Sequence, residues 1–353
     1  MSAEVIAIEP VAESRRASLD LAALGFSAVL SDHMLVAEYH DGAWQRTGIR
    51  PYGPLALAPS ISALQYGISI FEGLKAHRMP DDTVTIFRPR SNARRFQRSA
   101  ERLAMPPVPE ALFVYGLREL VRLDRAWVPA HGSGALYIRP CQFSIDESVR
   151  VKPADRYLFV AFTFPYHTYY AAPVDVLVTE RYVRAFPGGV GEVKPAGNYA
   201  PTLAAEREAQ REGFHTVLWL DGLERRYVEE CGVMNVFFVV DDCVVTPALE
   251  GTILPGITRD STMRLLRDMG LRVQERRISI DEIVAAADRG GLQECFGTGT
   301  AATLSHIRRI RYRERTIELP PVDARTVGPE VRRRLIAIAT GCEPDLHGWL
   351  EPV

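Results

Sequence analysis

The segment PYHTYYAAP at residues 165–173 is the feature that most constrains the fold of this chain. Two prolines bracket it, and its residues follow neither the helical nor the strand period, so it predicts a loop. Strand-like and helix-like stretches occur on both sides of it. The sequence therefore predicts an N-terminal arm at 1–25 that is poorly ordered or loosely docked, a smaller α+β domain at 26–164, an interdomain loop at 165–173 and a larger α/β-type domain at 174–353.

Apolar periodicity places the elements within these domains. The first domain is predicted to contain strands at His33–Tyr39, Val84–Phe87, Leu136–Phe143 and Arg156–Phe164, and helices at Ser91–Leu103 and Glu110–Asp124. The second is predicted to contain strands at Val174–Thr179, Thr216–Leu220, Val236–Val240 and Val244–Thr246, and helices at Tyr199–Glu212, Arg259–Met269 and Ile280–Arg289.

Composition narrows the class of function. The 353 residues are 47% hydrophobic, which is enough material for two cores, and 42 Lys plus Arg against 44 Asp plus Glu give a net charge of -2. Such a chain has no overall positive field for nucleic acid or an anionic membrane, so a small-molecule substrate is expected. Five cysteines without a CxxC pair predict reduced thiols in a cytoplasmic protein. The first 30 residues lack the features of a secretion signal, no run is long enough to span a bilayer, and no metal site is predicted.

A glycine-rich loop at Gly188–Tyr199 ends in one lysine, Lys194, and opens a predicted helix. Because such a loop has few bulky side chains, its backbone can approach a ligand closely. The loop lacks the third glycine of a nicotinamide fingerprint and the GK[ST] of a Walker loop. A lysine beside a buried carbonyl ligand forms a Schiff base when its neighbours favour the free amine, whereas an isolated lysine is most often a solvated surface residue.

Two adjacent acids, Glu229 and Glu230, stand directly before an apolar run in the segment Tyr227–Phe238. A carboxylate that enters the interior needs a cationic partner, and a pyridinium nitrogen would serve. A strand end with two solvated acids explains the segment equally well. The residues alone do not decide which of the two acids would meet a ligand.

Two turns have the composition of anion sites. Leu254–Arg259 places a Pro-Gly turn and Thr258 where a helix begins, so backbone N–H groups there suit a phosphate. Phe296–Ala301 is a turn of small residues whose N–H groups suit a carboxylate. Each signal is weak alone, because glycine turns mostly only reverse the chain.

A fourth group of residues predicts an apolar pocket with fixed positive charges. It comprises the segment Tyr66–Ala76, together with Arg95 as a bidentate phosphate ligand and Arg139 within Leu136–Pro140. The alternative is a core of aromatic residues beside a solvated arginine face of a helix.

Taken together, these segments resemble the branched-chain aminotransferases, a family of class IV, fold-type IV pyridoxal phosphate enzymes. The resemblance runs from about Ile49 to Trp349 and rests on FEGLKA, LYIRP, YVRAFPGG, KPAGNYA, ILPGITR and FGTGTAA, at residues 71–76, 136–140, 182–189, 194–200, 253–259 and 296–302. It implies a two-domain fold like that of D-amino acid aminotransferase, of mixed α+β and α/β character, and a homodimer whose partner completes the site. The implied reaction moves the amino group of Leu, Ile or Val to 2-oxoglutarate by a ping-pong cycle.

The resemblance also implies roles for individual residues. Lys194 would hold the cofactor as a Schiff base and move the proton, Glu230 would pair with the pyridine nitrogen, and Tyr199 would bind the phenolic oxygen. The other cofactor ligands would be Arg95, with the backbone at Ile257 and Thr258, for the phosphate, and Thr300. The turn at Thr300 and Ala301 would receive the substrate carboxylate, and the side-chain pocket would be bordered by Tyr66, Phe71, Tyr137, Arg139 and Arg184.

The chain departs from the family pattern at three places, and these keep alternatives open. Val233 replaces a small or hydroxylated residue, residues 141–148 differ from the usual turn, and the aromatic loop Tyr166–Tyr170 is unusual. The thiol pair of some members is absent, because Ala302 and Ser305 stand there, so no thiol switch is expected. The alternatives are an aminotransferase of a specialised pathway with an aromatic or unusual substrate, a D-amino acid aminotransferase or aminodeoxychorismate lyase, and a noncatalytic binding protein of the same fold.

Overall fold

The computed structural model describes residues 6–20, 25–167 and 172–353. Within these residues the chain forms two compact units. The described residues of the first unit run to 167 and also include 194–197 and 338–353, and those of the second are 172–193 and 198–337. None of the helices formed by the described residues has the length and apolar character that a membrane span requires.

The first unit is built on a nine-stranded sheet. Its strands are β1 (Ala7–Ile8), β2 (His33–His40), β3 (Ala43–Pro51), β4 (Ser69–Phe71), β5 (Leu74–Arg78), β6 (Val84–Phe87), β7 (Ala135–Ser144), β8 (Tyr157–Tyr166) and β18 (Leu350–Pro352). Their order is β1-β3-β2-β8-β7-β5-β6-β18, with β4 paired to β7. The β1–β3 pairing is parallel and the others are antiparallel.

Three helices accompany this sheet: α1 (Ser62–Tyr66), α2 (Pro89–Arg102) and α3 (Glu110–Leu123). Alternation along β2 sends Leu35 to the core that contains α2 and α3, while Met34 joins a second apolar cluster. In the main core the rings of Phe96 and Phe113 each contact Phe159 of β8, at centroid distances of 5.7 and 5.8 Å. This packing fixes α2, the helix that carries Arg95.

The second unit contains a closed barrel. Its strands are β9 (Val174–Thr179), β10 (Thr216–Leu220), β11 (Val228–Cys231), β12 (Met234–Val240), β13 (Cys243–Thr246), β14 (Arg272–Glu275), β15 (Leu292–Gly299), β16 (Thr303–Tyr312) and β17 (Arg315–Glu318). Six of them follow the order β11-β10-β9-β16-β15-β12, and the β11–β12 pairing closes the ring. β10 and β12 are buried along their whole length, and their sequences are accordingly mostly apolar instead of alternating between apolar and polar residues.

The second unit contains the helices α4 (Leu203–Arg211), α5 (Ile257–Asp268), α6 (Ile280–Asp288) and α7 (Val327–Ala339), and the last two residues of α7 group with the first unit. Ser279 caps α6 by accepting a hydrogen bond from the backbone of Glu282. The carboxylate of buried Glu294 accepts hydrogen bonds from the backbone N–H groups of Thr326, Val327 and Gly328, at 2.7–2.8 Å, where α7 begins. The buried carboxylate of Glu294 therefore satisfies free N–H groups at the positive end of α7.

The elements predicted from the sequence are confirmed, with corrections of three kinds, of which the first concerns the bounds of two elements. The strands Val84–Phe87, Val174–Thr179 and Thr216–Leu220 have the predicted bounds. The helix predicted at Tyr199–Glu212 begins only at Leu203, after a 3-10 turn at Ala200–Thr202, because Pro201 restricts the residue before it. Pro165 and Tyr166, predicted as loop, belong to β8, since they face Leu136 and Ala135 of β7. The rest of the aromatic loop includes residues 168–171, which lie outside the described part of the chain.

The second correction concerns the N-terminal arm, whose described residues are docked rather than loose. Ala7 and Ile8 pair with β3, Val11 donates its backbone N–H to Nε2 of His33 at 3.0 Å, and Ser14 donates its hydroxyl to Asp32 at 2.5 Å. Since buried His33 and Asp32 belong to the first unit, the arm is part of that unit.

The third correction concerns the predicted domain 174–353. Its last residues, 338–353, group with the first unit, and β18 pairs with β6 there. Lys194–Gly197 also group with the first unit, although the sequence interpretation gave the lysine to the larger domain. Pairing across a sheet edge joins residues that are far apart in the chain, so local patterns do not reveal it.

Candidate active site

Lys194 lies against β4 of the first unit. Its backbone N–H donates to Oγ of Ser99 at 3.0 Å, its carbonyl accepts from the N–H of Phe71 at 3.2 Å, and Pro195 forms an isolated bridge with Ile70. These contacts fix the main chain of Lys194, and its side chain is half-buried. Its Nζ stands 4.7 Å from the centroid of the Phe71 ring. The predicted catalytic lysine is therefore held on a rigid sheet beside an aromatic face.

Arg95 and Glu72 form a buried ion pair close to this lysine. Nε and Nη2 of Arg95 donate to the two carboxylate oxygens of Glu72, at 2.6 and 2.8 Å. Nδ2 of Asn92 and the backbone N–H of Gly73 also donate to Glu72. Burial opposes the ionisation of Glu72, but the charge and hydrogen bonds of Arg95, with the charge of Lys194, outweigh it and hold the pKa of Glu72 below its usual range.

Phe71, Tyr137 and Arg139 form an aromatic cluster on the same sheet. The guanidinium of Arg139 lies 4.8 Å from the Phe71 ring centroid and 5.3 Å from that of Tyr137. The Tyr137 ring stacks on Phe164 at 4.9 Å. A side chain at Gly73 would collide with the Tyr137 hydroxyl, because a Cβ there would lie 1.9 Å from it. The structure thus brings together three of the five residues predicted to border the substrate pocket.

Tyr66 and Arg184 are the other two, and both make different contacts. The hydroxyl of Tyr66, at the end of α1, donates to the carbonyl of Val149, and the residue is 40% exposed. Arg184 lies in the second unit, where its Nε is 3.3 Å from Oε2 of Glu230. The sequence interpretation placed Arg184 at the substrate side chain, but a buried carboxylate such as Glu230 needs a cation, and Arg184 meets that need.

Glu230 lies in β11 and is 5% exposed. Its Oε1 accepts the backbone N–H of Leu254 at 2.8 Å, and the carbonyl of Leu254 accepts from Nδ2 of Asn235 at 2.9 Å. Glu230 and Asn235 are register partners across β11 and β12, so the two side chains hold both backbone groups of Leu254. The acid predicted to meet a ligand is therefore tied to the turn that leads into α5.

That turn leads directly into the residues predicted to bind a phosphate in the second unit. Ile257 and Thr258 are the first two residues of α5, a helix of 12 residues whose N-cap is Gly256. A Cβ at Gly256 would lie 1.9 Å from Oδ1 of Asn235, so the close approach requires glycine. The N-terminus of such a helix favours an anion.

Thr300, Ala301 and Tyr199 also lie in the second unit. The turn containing Thr300 and Ala301 joins β15 to β16, and both residues are half-buried. Thr303, at the end of that turn, has a positive φ of 59°. Tyr199 is half-buried and precedes the 3-10 turn, where its carbonyl accepts the hydroxyl of Thr202 at 2.7 Å.

Glu229 points away from Glu230, because successive side chains of a strand face opposite sides. It lines a cavity together with Asp221, Tyr227 and Arg277, and it is 5% exposed. Burial raises the pKa of Glu229 above its usual value, and a hydrogen bond with Thr252 and the charge of Arg184 offset burial only in part. The two adjacent acids therefore have different surroundings.

Cys231, Cys243 and Cys295 are buried, Cys141 is partly buried and Cys342 is exposed. Burial raises the pKa of Cys141 to about 12 and raises the pKa of Cys231 and Cys295 above their usual value. Thiolates are therefore scarce at these three positions.

Several residues with clear roles were missed in the sequence. Glu72, Asn235 and Thr252 orient Arg95, Leu254 and Glu229 respectively. A signal existed for Glu72, which is a lone acid between the apolar residues of FEGLKA. Asn235 and Thr252 carry no such signal, because their partners are backbone groups and a residue distant in sequence.

The family model and the relatives that match this chain are all aminotransferases. The model of the family described as amino-transferase class IV matches residues 69–310. The chain is 46% identical over 303 residues to the branched-chain-amino-acid transaminase 1 of Bacillus subtilis (strain 168), covering 84% of this chain and 85% of the relative. It is 42% identical over 353 residues to the branched-chain-amino-acid aminotransferase of Mycobacterium tuberculosis (strain CDC 1551 / Oshkosh), covering 98% of this chain and 96% of the relative.

A solved structure shows the same similarity. The T.th. branched-chain amino acid aminotransferase, complexed with N-(5'-phosphopyridoxyl)-L-glutamate, superposes with a TM-score of 0.70 at 27% identity, covering 89% of this chain and 97% of that one. The fold-type IV architecture predicted from the sequence is therefore confirmed.

Proposed function

The chain belongs to the class IV aminotransferase family, and we propose that it transfers the amino group of leucine, isoleucine or valine to 2-oxoglutarate with pyridoxal 5′-phosphate as cofactor. Two relatives above 40% identity are named branched-chain transaminases. The ligand of the T.th. enzyme joins the cofactor to glutamate, which is the amino acid formed from 2-oxoglutarate. These names support both the substrate class and the cofactor.

The chemistry of the donor set fits this cofactor. Pyridoxal phosphate has an aldehyde, a ring nitrogen and a phosphate, and the chain offers a lysine amine, a buried carboxylate and the N-terminus of a helix of 12 residues. When bound, the cofactor withdraws electrons from the substrate Cα. Binding, orientation and proton transfer are left to the residues of the chain.

The position of Lys194 carries the proposal. Its Nζ lies 4.7 Å from the centroid of the Phe71 ring, and its main chain is fixed by Ser99 and Phe71. A lysine held in this way would bind the cofactor as a Schiff base and, once released by the substrate amine, would carry the proton from the substrate Cα to C4′ of the cofactor. Its side chain is half-buried, which limits the water that competes for that proton.

We assign Glu230 to the ring nitrogen. It is 5% exposed, and the N–H of Leu254 and the guanidinium of Arg184 hold its carboxylate, so it supplies a fixed negative charge for a protonated ring nitrogen. Tyr199 is assigned to the phenolic oxygen by its place after KPAGN.

We assign the phosphate to Arg95 and to the backbone at Ile257 and Thr258, with Thr300 as a further cofactor ligand. Glu72 holds the guanidinium of Arg95 through Nε and Nη2 and thereby fixes its orientation. The two residues of α5 offer the N–H groups of a helix N-terminus.

We assign the substrate to two groups of residues. The turn at Thr300 and Ala301 receives the carboxylate, and an apolar side chain lies against the aromatic cluster of Phe71 and Tyr137, whose polar edge is Arg139. Tyr66 borders the same pocket in this proposal. A pocket of this kind discriminates branched side chains from smaller ones by about 1–3 kcal/mol per methylene.

We further propose that the enzyme works as a cytoplasmic homodimer. The proposal follows from the family resemblance and from buried cysteines that form no disulfide within the described residues. Light scattering of the purified protein measures the mass in solution, and a monomer that retains full activity would exclude the dimer.

The experiment compares Glu230→Gln with Glu229→Gln in turnover of L-leucine and 2-oxoglutarate. Glu230→Gln should lower kcat by roughly 100-fold, the scale of removing one preorganised charge from an active site. Glu229→Gln should stay close to the wild-type rate, because the side chain of Glu229 faces the opposite side of β11 from Glu230. Product formation is measured as glutamate and 4-methyl-2-oxopentanoate by mass spectrometry. Equal losses in both variants, or a wild type that converts only an aromatic or a D-amino acid, would overturn the assignment.

A further inference from the structure

Arg184 contacts Glu230 from a loop that its glycines hold in place. The side chain of Arg184 is 7% exposed, its Nε lies 3.3 Å from Oε2 of Glu230, and its Nη2 donates to the carbonyl of Thr252. A Cβ at Gly191 would lie 2.3 Å from that same carbonyl. The loop cannot approach so closely with any larger residue, so the guanidinium has a fixed position.

The position of the Arg184 guanidinium matters because a second acid, Glu229, is adjacent to Glu230 in the chain. Glu229 and Glu230 are each 5% exposed, and two ionised carboxylates on consecutive residues would repel each other in a poorly solvated site. Their contacts differ: Glu230 lies beside the Arg184 guanidinium, whereas Glu229 hydrogen-bonds Thr252. Among the described residues, Oε2 of Glu229 has no hydrogen-bond partner.

We propose that Arg184 is a positioning residue that keeps Glu230 as the charged member of this pair of acids and holds its carboxylate for the ring nitrogen of the cofactor. The proposal rests on the proposed function, and it replaces the role of Arg184 in the substrate pocket. Thr252 links the two acids, because it binds Arg184 through its carbonyl and Glu229 through its hydroxyl.

The loss of Arg184 changes where one proton resides. Without the guanidinium, burial and the second acid favour a proton on Glu230, and a neutral Glu230 no longer holds a proton on the ring nitrogen. Lys194 and the phosphate ligands would still retain the cofactor. We therefore expect kcat to fall by about 10- to 100-fold, the size usual for residues that orient a ligand, with a smaller change in KM.

The test measures directly whether the ring nitrogen of the cofactor carries a proton. Wild type and Arg184→Gln are reconstituted with pyridoxal 5′-phosphate labelled with ¹⁵N at the ring nitrogen, and the ¹⁵N chemical shift reports whether that nitrogen carries a proton. The wild type should give the protonated shift. Arg184→Gln should move toward the neutral pyridine shift, and Arg184→Lys, which keeps a positive charge, should recover most of the protonated signal.

Arg181→Gln is the matched control. Arg181 lies three residues before Arg184, its side chain is 73% exposed, and its partner is Glu208 at 3.6 Å. The same change of chemistry there should leave the ¹⁵N shift and kcat unaltered. Glu229→Gln should also keep the protonated shift, and this variant tests the proposal even if Arg184→Gln does not fold.

The outcomes separate this proposal from the function on which it rests. A protonated shift in Arg184→Gln, or a neutral shift in Glu229→Gln, overturns the role of Arg184 while the enzyme remains a transaminase. A wild type that neither binds labelled cofactor nor converts L-leucine overturns the proposed function instead.

Discussion

Each unit of the chain buries one arginine–carboxylate pair that belongs to the proposed site, and the two pairs are built differently. In the first unit Glu72 accepts hydrogen bonds from two nitrogens of Arg95, from Asn92 and from the backbone of Gly73. In the second unit Glu230 accepts the backbone N–H of Leu254 and lies 3.3 Å from Nε of Arg184. That Nε makes no hydrogen bond within the described residues.

The difference indicates what each carboxylate does. A fully hydrogen-bonded carboxylate has no capacity left for a ligand, so Glu72 shapes the site by fixing Arg95. Glu230 is the carboxylate that we assign to the ring nitrogen, and Arg184 supports its negative charge. The first pair is therefore expected to matter most for folding and the second for chemistry.

The largest expected effect comes from Glu72→Gln. This change leaves Arg95 charged and buried without its partner, which costs about 3–5 kcal/mol of unfolding free energy. Denaturant unfolding of the cofactor-free protein measures the loss. The control is Glu38→Gln, whose carboxylate is 31% exposed and contacts Arg46 at 3.4 Å, because such a surface pair contributes roughly 1 kcal/mol or less. If both variants unfold at the same denaturant concentration, the structural role of Glu72 is wrong.

A smaller effect concerns pH, and its sign differs between the two units. The pKa of Glu72 is lowered from an ordinary value of 4.5, so its stabilisation is present above pH 4.5 and is lost as the pH falls through the folded-state pKa. The pKa of Glu229 is raised from 4.5, so its contribution is present below pH 4.5 and is lost as the pH rises through the folded-state pKa.

Unfolding curves recorded across pH test these signs. The deficit of Glu72→Gln should shrink below pH 4.5, whereas Glu229→Gln should gain stability relative to wild type above that pH. A Glu229→Gln variant that loses stability relative to wild type as the pH rises would show that the pKa of Glu229 is lowered in the folded protein, and the comparison of the two acids would then fail.

The sequence predicted the elements well where burial makes the pattern simple. β10 and β12 are buried at every position, and their apolar runs Thr216–Leu220 and Val236–Val240 were recognised. β16 was missed because arginines interrupt its apolar positions, and two of them, Arg308 and Arg309, pair with buried Asp175. Such long-range ion pairs leave no local signal.

For the candidate site, the sequence indicated individual residues but not the contacts between them. Lys194, Arg95 and Glu230 were identified from motifs, and the structure gives each of them a fixed or buried environment. The partner of Glu230 was not predicted, because Arg184 is 46 positions away in the chain and reaches it only through a loop shaped by glycines. The division of 174–353 into one domain also failed, because β18 returns to the first sheet.

The proposed transamination is tested by an absorbance spectrum of the purified protein with pyridoxal 5′-phosphate, recorded before and after the addition of L-leucine, with Lys194→Ala as control. We expect L-leucine to convert the lysine-bound cofactor band to that of pyridoxamine 5′-phosphate, 2-oxoglutarate to restore it, and Lys194→Ala to show neither change. The proposed function is wrong if L-leucine, L-isoleucine and L-valine all leave the bound cofactor unchanged while D-alanine or an aromatic amino acid discharges it.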